Sequence, residues 1–258
     1  MLSSDAMNAR RLTYIAVVCL FSVLSFADED SVSDDAQPRF VPARLPDSFE
    51  LAVDQIDGPA FDYDSEFFLY CIARVYSNGR VGDNYCIEYV DVDDDKLRNA
   101  VNKLMGRTRL SPAMVDGERR EVKFYYRLSF RTSGRVRVFP NWGHDVDRLG
   151  MSYEAPQRYS KFRQYPPACD FYSGLSMTPI AANGRVAGEP ELKTLLRRED
   201  RALNCVEIIK KQLSNAKFIP GHRDGKPVPA IHEEIWRRWD WLDRDSLSMT
   251  LGPPQQDQ

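Results

Sequence analysis

Histidine is scarce in this chain, and much ordinary catalytic chemistry is scarce with it. Only three occur in 258 residues: His144, His222 and His232. No Gly-x-Ser-x-Gly, P-loop or Gly-x-Gly-x-x-Gly pattern is present, so the usual signatures of nucleophile-elbow hydrolysis, nucleotide binding and dinucleotide binding are missing. No block of basic residues exists to grip a nucleic-acid backbone. Thirty-five Lys and Arg are interspersed with thirty-eight Asp and Glu, for a net charge of −3, and a nucleic-acid partner is not expected. No two cysteines form Cys-x-x-Cys, which removes the thioredoxin-like and zinc-knuckle readings. After Ala27 no apolar run approaches the roughly 20 residues that a spanning helix needs.

The histidines that are present sit in poor company for catalysis or metal binding. His144 in Gly-His-Asp-Val-Asp has Asp145 and Asp147 beside it but no further ligand at a diagnostic spacing, and reads as a surface loop. His222 lies in Pro-Gly-His-Arg-Asp-Gly, a turn expected to face solvent. His232 with Glu233 and Glu234 fails the His-Glu-x-x-His zinc spacing, because Trp236 stands where the second histidine belongs. The acidic run Asp91–Asp95 lacks the central Gly and closing Glu of a calcium loop, and fits a helix N-terminus instead. Catalytic residues, cofactors and metals are therefore expected to be none.

The N-terminus reads as an export signal. Arg10 and Arg11 precede an apolar run from Leu12 to Phe26, and Ser25 and Ala27 supply small residues at −3 and −1. This is the pattern of a secretory signal peptide, with cleavage between Ala27 and Asp28. The alternative is an uncleaved anchor, although the run is short for a span. A lipoprotein centred on Cys19 is disfavoured by Val18 just before it. Cleavage leaves 231 residues with a net charge of −4.

An internal repeat organises the remainder. Ser77-Asn78-Gly79-Arg80-Val81 and Ala182-Asn183-Gly184-Arg185-Val186 are both Asn-Gly hairpin signals, for which a two-residue type I′ turn is expected. Each is followed by an amphipathic helix stripe: Leu97, Val101 and Leu104 in the first copy, Ala202, Val206, Ile209 and Leu213 in the second. Then come Pro112 to Asp116-Gly117 and Pro220 to Asp224-Gly225 at identical spacing. In the first copy a strand follows in clean alternation, with Val122, Phe124, Tyr126, Leu128 and Phe130 on one face and Lys123, Arg127 and Arg131 on the other. The expected fold class is α+β: two tandem β-β-α-β modules, each an antiparallel sheet packed on a helix. The boundaries are a signal peptide at 1–27, an acidic arm at 28–60, a first module at 61–131, a linker at 132–164, a second module at 165–245 and a tail at 246–258.

Four cysteines remain after cleavage, and in an exported chain they allow three disulfide connectivities. With Asn78-Gly79 as the turn, Tyr76 faces Val81, Arg74 pairs across the strands with Asp83, and Cys71 faces Cys86 as a hydrogen-bonded pair within bridging distance. A one-residue bulge at the turn would break that alignment. The second expected pair is Cys169 with Cys205, the helix face meeting the segment ahead of its module. Four buried free thiols are the other possibility.

In order, these elements resemble the TonB C-terminal domain. Tyr165-Pro166-Pro167-Ala168, Asn183-Gly184-Arg185-Val186, Phe218-Ile219-Pro220-Gly221 and Asp224-Gly225-Lys226-Pro227-Val228 carry the likeness over residues 165–235, with a weaker likeness over 67–131. The resemblance implies a periplasmic, cell-envelope protein that binds a protein or an extended peptide segment by adding it to a sheet edge. The family's energy-transducing role implies a second reading, a membrane-anchored protein taking part in energy-dependent transport across the outer membrane. Against that reading, the apolar N-terminal segment holds no histidine for a Ser-x-x-x-His coupling pattern, and no long Pro-rich spacer follows. The membrane is a partner only if the N-terminal segment stays attached. The resemblance also implies a strand after residue 230, whereas Ile231, Ile235, Trp239 and Leu242 follow a helical spacing that would make Trp236, Trp239 and Trp241 core and rim. The expected binding edge is the strand Glu121–Arg131, last in its module, offering Lys123, Tyr125, Arg127 and Arg131 to an acidic segment such as Asp28–Asp35. The alternative is a central strand flanked on both sides.

Overall fold

The first hairpin sets the frame. A computed structural model describes residues 39–56, 67–88, 95–130, 136–160, 173–196 and 202–237. The Ala27–Asp28 junction, Asp91–Asp94, Arg131, Cys169, Trp239, Trp241, Leu242 and the tail lie outside them. In chain order the strands are β1 Phe40–Val41, β2 Phe67–Val75, β3 Val81–Glu88, β4 Ala113–Val115, β5 Glu118–Arg120, β6 Val122–Phe130, β7 Arg137–Phe139, β8 Gln157–Arg158, β9 Ser173–Ile180, β10 Glu191–Leu196, β11 Phe218–Ile219, β12 Gly221–Arg223, β13 Lys226–Val228 and β14 Ala230–Arg237. The helices are α1 Ser48–Val53, α2 Asp95–Arg107, α3 Val146–Leu149 and α4 Ala202–Ser214. The chain is α+β, with antiparallel pairing throughout.

Two sheets dominate. One has the order β3-β2-β6-β7, and β2 pairs with β6 over its whole length from Phe67↔Phe130 to Val75↔Val122. The other has the order β10-β9-β14. In each, a hairpin precedes a thirteen-residue helix, and a long strand after that helix returns to pair with the first strand of the hairpin. Alternation along β2 and β6 sends Leu69, Cys71, Ala73, Val75, Phe124, Tyr126 and Leu128 into a core shared with Leu97, Val101 and Met105 of α2. Cys205, Ile209 and Leu213 of α4 meet Ile180, Phe218 and Trp236 in a second core. Ile219 is buried in the first core although it follows α4. Both halves belong to one compact unit, Gln37–Gln258.

The turns differ from the type I′ expectation. Tyr76 N donates to Arg80 O at 2.9 Å, Gly79 N donates to Tyr76 O at 2.8 Å, and Gly79 alone in that turn has a left-handed φ, 81°. The loop is therefore Ser77-Asn78-Gly79, a three-residue connection with glycine in the bulge position. Ala181, Gly184 and Arg185 repeat it, with φ 76° at Gly184. Type I′ geometry falls at the Asp-Gly pairs instead, where Asp116 and Gly117 have φ 53° and 80°, and Asp224 and Gly225 have 52° and 74°. The extra loop residue sets Val81 opposite Val75, not Tyr76, and a second irregularity between Ala73 and Val75 restores the register in time for Cys86 to face Cys71. Arg74 pairs with Glu121 at 2.7 Å, and the charge of Asp83 acts on it as well. Cys71 and Cys86 form a disulfide with a Cα separation of 4.1 Å, the shorter spacing of a non-hydrogen-bonded site and not the hydrogen-bonded one expected. Cys205 is disulfide-bonded as well.

The described parts of the arm and the linker, 39–56 and 136–160, are joined to the fold. From the arm, β1 pairs with β4, and α1 buries Phe49 and Val53 against the first core. From the linker, β7 extends the first sheet and β8 pairs with β11. Ala43 and Gln157 exchange two buried hydrogen bonds, 2.8 and 2.9 Å, tying arm to linker. Residues 231–237 form a strand, not a helix: β14 pairs with β9 from Ala230↔Ile180 to Arg237↔Ser173. No helix among the described residues is long and apolar enough to cross a membrane.

Candidate functional site

The strand expected to offer a binding edge lies inside its sheet. β6 has β2 along one side, and β7 covers Arg127–Ser129 on the other. The face carrying Lys123, Tyr125 and Arg127 is a seam against the second sheet, not a solvated guard. Ile72, Ile87 and Tyr125 pack there with Ile235 and Leu175, and Trp142 closes the cluster. Trp142 also donates from Nε1 to the Cys71 carbonyl at 3.0 Å, and its ring meets Tyr125 edge-on at 5.1 Å.

Glu234 of β14 is the centre of the charged part of this seam. Its side chain is 1% exposed and takes Arg158 Nη1 at 2.8 Å and Lys123 Nζ on its other oxygen. The Arg158 side chain is 3% exposed and that of Lys123 24%. His232 Nδ1 contacts Pro156 O at 2.9 Å, which a carbonyl can only accept, and Nε2 is directed at Glu234 Oε2, 3.5 Å away. Lys123 and Arg158 also lie over the Trp236 ring at 5.8 and 5.7 Å from its centroid. Trp236 Nε1 donates to Ser176 Oγ at 2.9 Å, and that hydroxyl donates to the Glu234 carbonyl. Burial alone would push the Glu234 carboxyl up; Arg158, Lys123 and His232 together overcome it and hold it well below the ordinary range. Burial and the neighbouring Arg158 lower Lys123 in spite of Glu234, and burial with the Glu234 charge lifts Tyr125 well above an ordinary phenol.

A second charged group occupies the other face of β14. Glu233 lies 3.8 Å from His144 Nδ1 and near Asp145 and Arg127. Asp145 Oδ2 accepts from Ile231 N at 2.7 Å, and Arg148 pairs with its Oδ1 at 2.8 Å. Arg127 is buried between the Phe68 and Phe139 rings, 5.2 and 4.8 Å from their centroids. His222, expected at the surface, is buried on β12 with Nδ1 3.0 Å from Pro220 O.

Arg158 gives no sign of itself in the sequence, and His232, Glu233 and Glu234 show only a failed zinc spacing, because the competing helical spacing of Ile231 and Ile235 hides which residues of the strand are buried. The usable sign was the interleaving of His-Glu-Glu with Ile235 and Trp236 in a segment able to bury both faces. Chemically, the seam holds its charges in mutual compensation, so it fixes one sheet on the other. A separate open cleft of about 440 Å³ lies between arm and linker, lined by residues including Arg44, Glu50, Leu51, Val138 and Glu154. Three of its polar groups are engaged: Arg44 pairs with Glu154 at 2.6 Å, and Glu50 accepts from Val138 N. Among the described residues no group of three potential ligands is placed to hold a metal ion.

What remains open to a partner is strand edge. β3 and the short β7 are the outer strands of the first sheet and β10 and β14 those of the second, and among the described residues no named strand pairs with their far sides. An isolated bridge, Arg80↔Arg109, closes the turn end of β3. The non-hydrogen-bonded position of Cys71 and Cys86 directs the amides of Asn84, Cys86 and Glu88 away from β2. No family model, no curated protein and no solved structure matches the chain.

Proposed function

We propose that the chain is an exported, non-catalytic protein of a cell envelope, built from two tandem modules of the TonB C-terminal type, that binds an extended segment of a partner protein at a sheet edge. The observation that carries this is the outer edge of β3, where three successive outward amides lack a strand partner among the described residues. An incoming strand would satisfy them in the way any sheet edge recruits a neighbour. The repeated succession of Asn-Gly hairpin, thirteen-residue helix, type I′ Asp-Gly hairpin and returning strand supports the tandem reading. The order of elements in each copy supports the family resemblance. The disulfide Cys71–Cys86 supports an oxidising compartment.

The test is a proline at Glu88. It removes one outward donor near the end of β3 and leaves the bonds to β2 in place. The expected outcome is an unchanged urea midpoint with loss of partner capture from envelope extracts. In the wild-type complex, exchange of the Asn84, Cys86 and Glu88 amides should slow on binding. Capture that survives the proline, with those amides unprotected, would move binding away from this edge.

A further inference from the structure

Glu233 combines near-burial, a second carboxylate and a backbone tie, and the seam described above does not use it. Its side chain is 15% exposed. The groups facing it come from several elements. The turn leading into α3 brings His144 and Asp145, with Arg148 already paired to Asp145. β6 brings Arg127 and Tyr125, and the loop after α3 brings Tyr153, whose hydroxyl is pushed well above an ordinary phenol by burial first and then by the two carboxylates. On β14 itself Glu234 lies on the opposite face, and across the ladder the partner is Met177, which carries no charge. Two carboxylates thus share a site whose one buried cation, Arg127, is fixed between aromatic rings.

Asp145 has no freedom to retreat. Its Oδ2 holds the Ile231 amide of β14 at 2.7 Å and its Oδ1 holds Arg148, whose other contact is the Pro229 carbonyl at 2.9 Å. These bonds tie residues 143–148 to β14 alongside the apolar packing of Val146 and Leu149 with Ala230.

We propose that Glu233 is a proton-operated latch: protonated, it lets Asp145 keep the 143–148 turn on Ile231 of β14, and ionised, it repels Asp145 and loosens that turn from the strand. Burial first, then the Asp145 charge, lift Glu233 to about 7 against the pull of Arg127. The raised value fixes the sign. The tie is strongest below the ordinary carboxylate value of 4.5 and weakens as pH rises through about 7. Neutral pH is therefore the middle of the working range. Trp142, which packs on Tyr125 in the seam, immediately precedes this turn, so release of the latch bears directly on the contact between the sheets.

The test is amide exchange of the full mature chain, corrected for intrinsic rates, at pH 5.5 and pH 8. Protection at Ile231 and through 143–148 should fall on the order of tenfold between the two, while protection at Cys71 and Tyr126 holds. Glu233→Gln should remove the fall, and His144→Gln should keep it. The proposal is overturned if wild-type protection does not fall, if the fall persists in Glu233→Gln, or if His144→Gln abolishes it. Should Glu233→Gln fail to fold, a carboxyl-carbon titration of the wild type decides: a Glu233 midpoint near 7 supports the latch, and one in the ordinary carboxylate range overturns it.

Discussion

Glu234 shows how much one side chain can be asked to hold. Its carboxylate has left water entirely, and it is compensated by Arg158 and Lys123 from segments 76 and 111 positions away in the chain. Removing such a charge takes a buried counter-ion from both cations, a change that typically costs ~3–5 kcal/mol. Glu234→Gln is expected to lose that much by urea unfolding at pH 7. The pH dependence gives a second check with a definite sign. A carboxyl held below its ordinary 4.5 contributes stability that is present above that value and withdrawn as pH falls further. The wild type should therefore lose more stability between pH 7 and pH 3 than the variant does, and equal losses would contradict this role. None of this was legible beforehand. Lys123 and Arg127 are expected to meet an acidic partner segment because strand alternation separates two faces but cannot tell an open face from one covered by a second sheet.

At the scale of elements, the turns carry the lesson. Asn-Gly, Asp-Gly and their spacings mark the two long hairpins, the two short ones and the two thirteen-residue helices, because glycine at those points answers a local backbone need; α1, α3 and β7 carry no such mark. Which turn formed was not local. A Cβ on Gly79 would stand 2.2 Å from the Leu110 carbonyl oxygen, and one on Gly184 2.3 Å from that of Phe218. Each Asn-Gly loop is pressed against the segment leaving its helix, contact that sequence spacing does not contain. Gly117, with φ 80°, has nothing within 4 Å of its Cβ position. Gly117→Ala should therefore show only the left-handed backbone cost of ~1–2 kcal/mol, and Gly79→Ala distinctly more, since backbone must move as well. Thermal unfolding of the two variants side by side measures the difference, and equal losses would mean the loop shifts freely. The strand β14 was obscured for a related reason. It buries residues on both faces, so Ile231 and Ile235 fell by chance on a helical spacing while the period-2 signal vanished.

For the whole molecule, the question is whether two sheets with separate cores behave as one. The first core extends from Phe49 to Ile219 and the second surrounds Cys205 and Trp236. Between them stand Tyr125, Ile72 and Ile87 from one sheet, Ile235 and Leu175 from the other, and the Glu234 ion cluster alongside. Chains with several cores commonly lose all-or-none unfolding. Here the seam is apolar and closed, and its charges are satisfied only when both sheets are in place, so unfolding one sheet strands buried groups of the other. The prediction is a common opening free energy for the most protected amides of the two central strands, Cys71 in β2 and Ser176 in β9, by native-state exchange. The double variant Glu234→Gln, Ile235→Ala removes both the ion cluster's centre and an apolar contact that by itself is worth ~2–5 kcal/mol. In that variant the two values should separate, with β9 opening first, because among the described residues its sheet has three strands against four and the smaller core. Unequal values already in the wild type would show that each sheet stands alone and that the seam serves only to orient them.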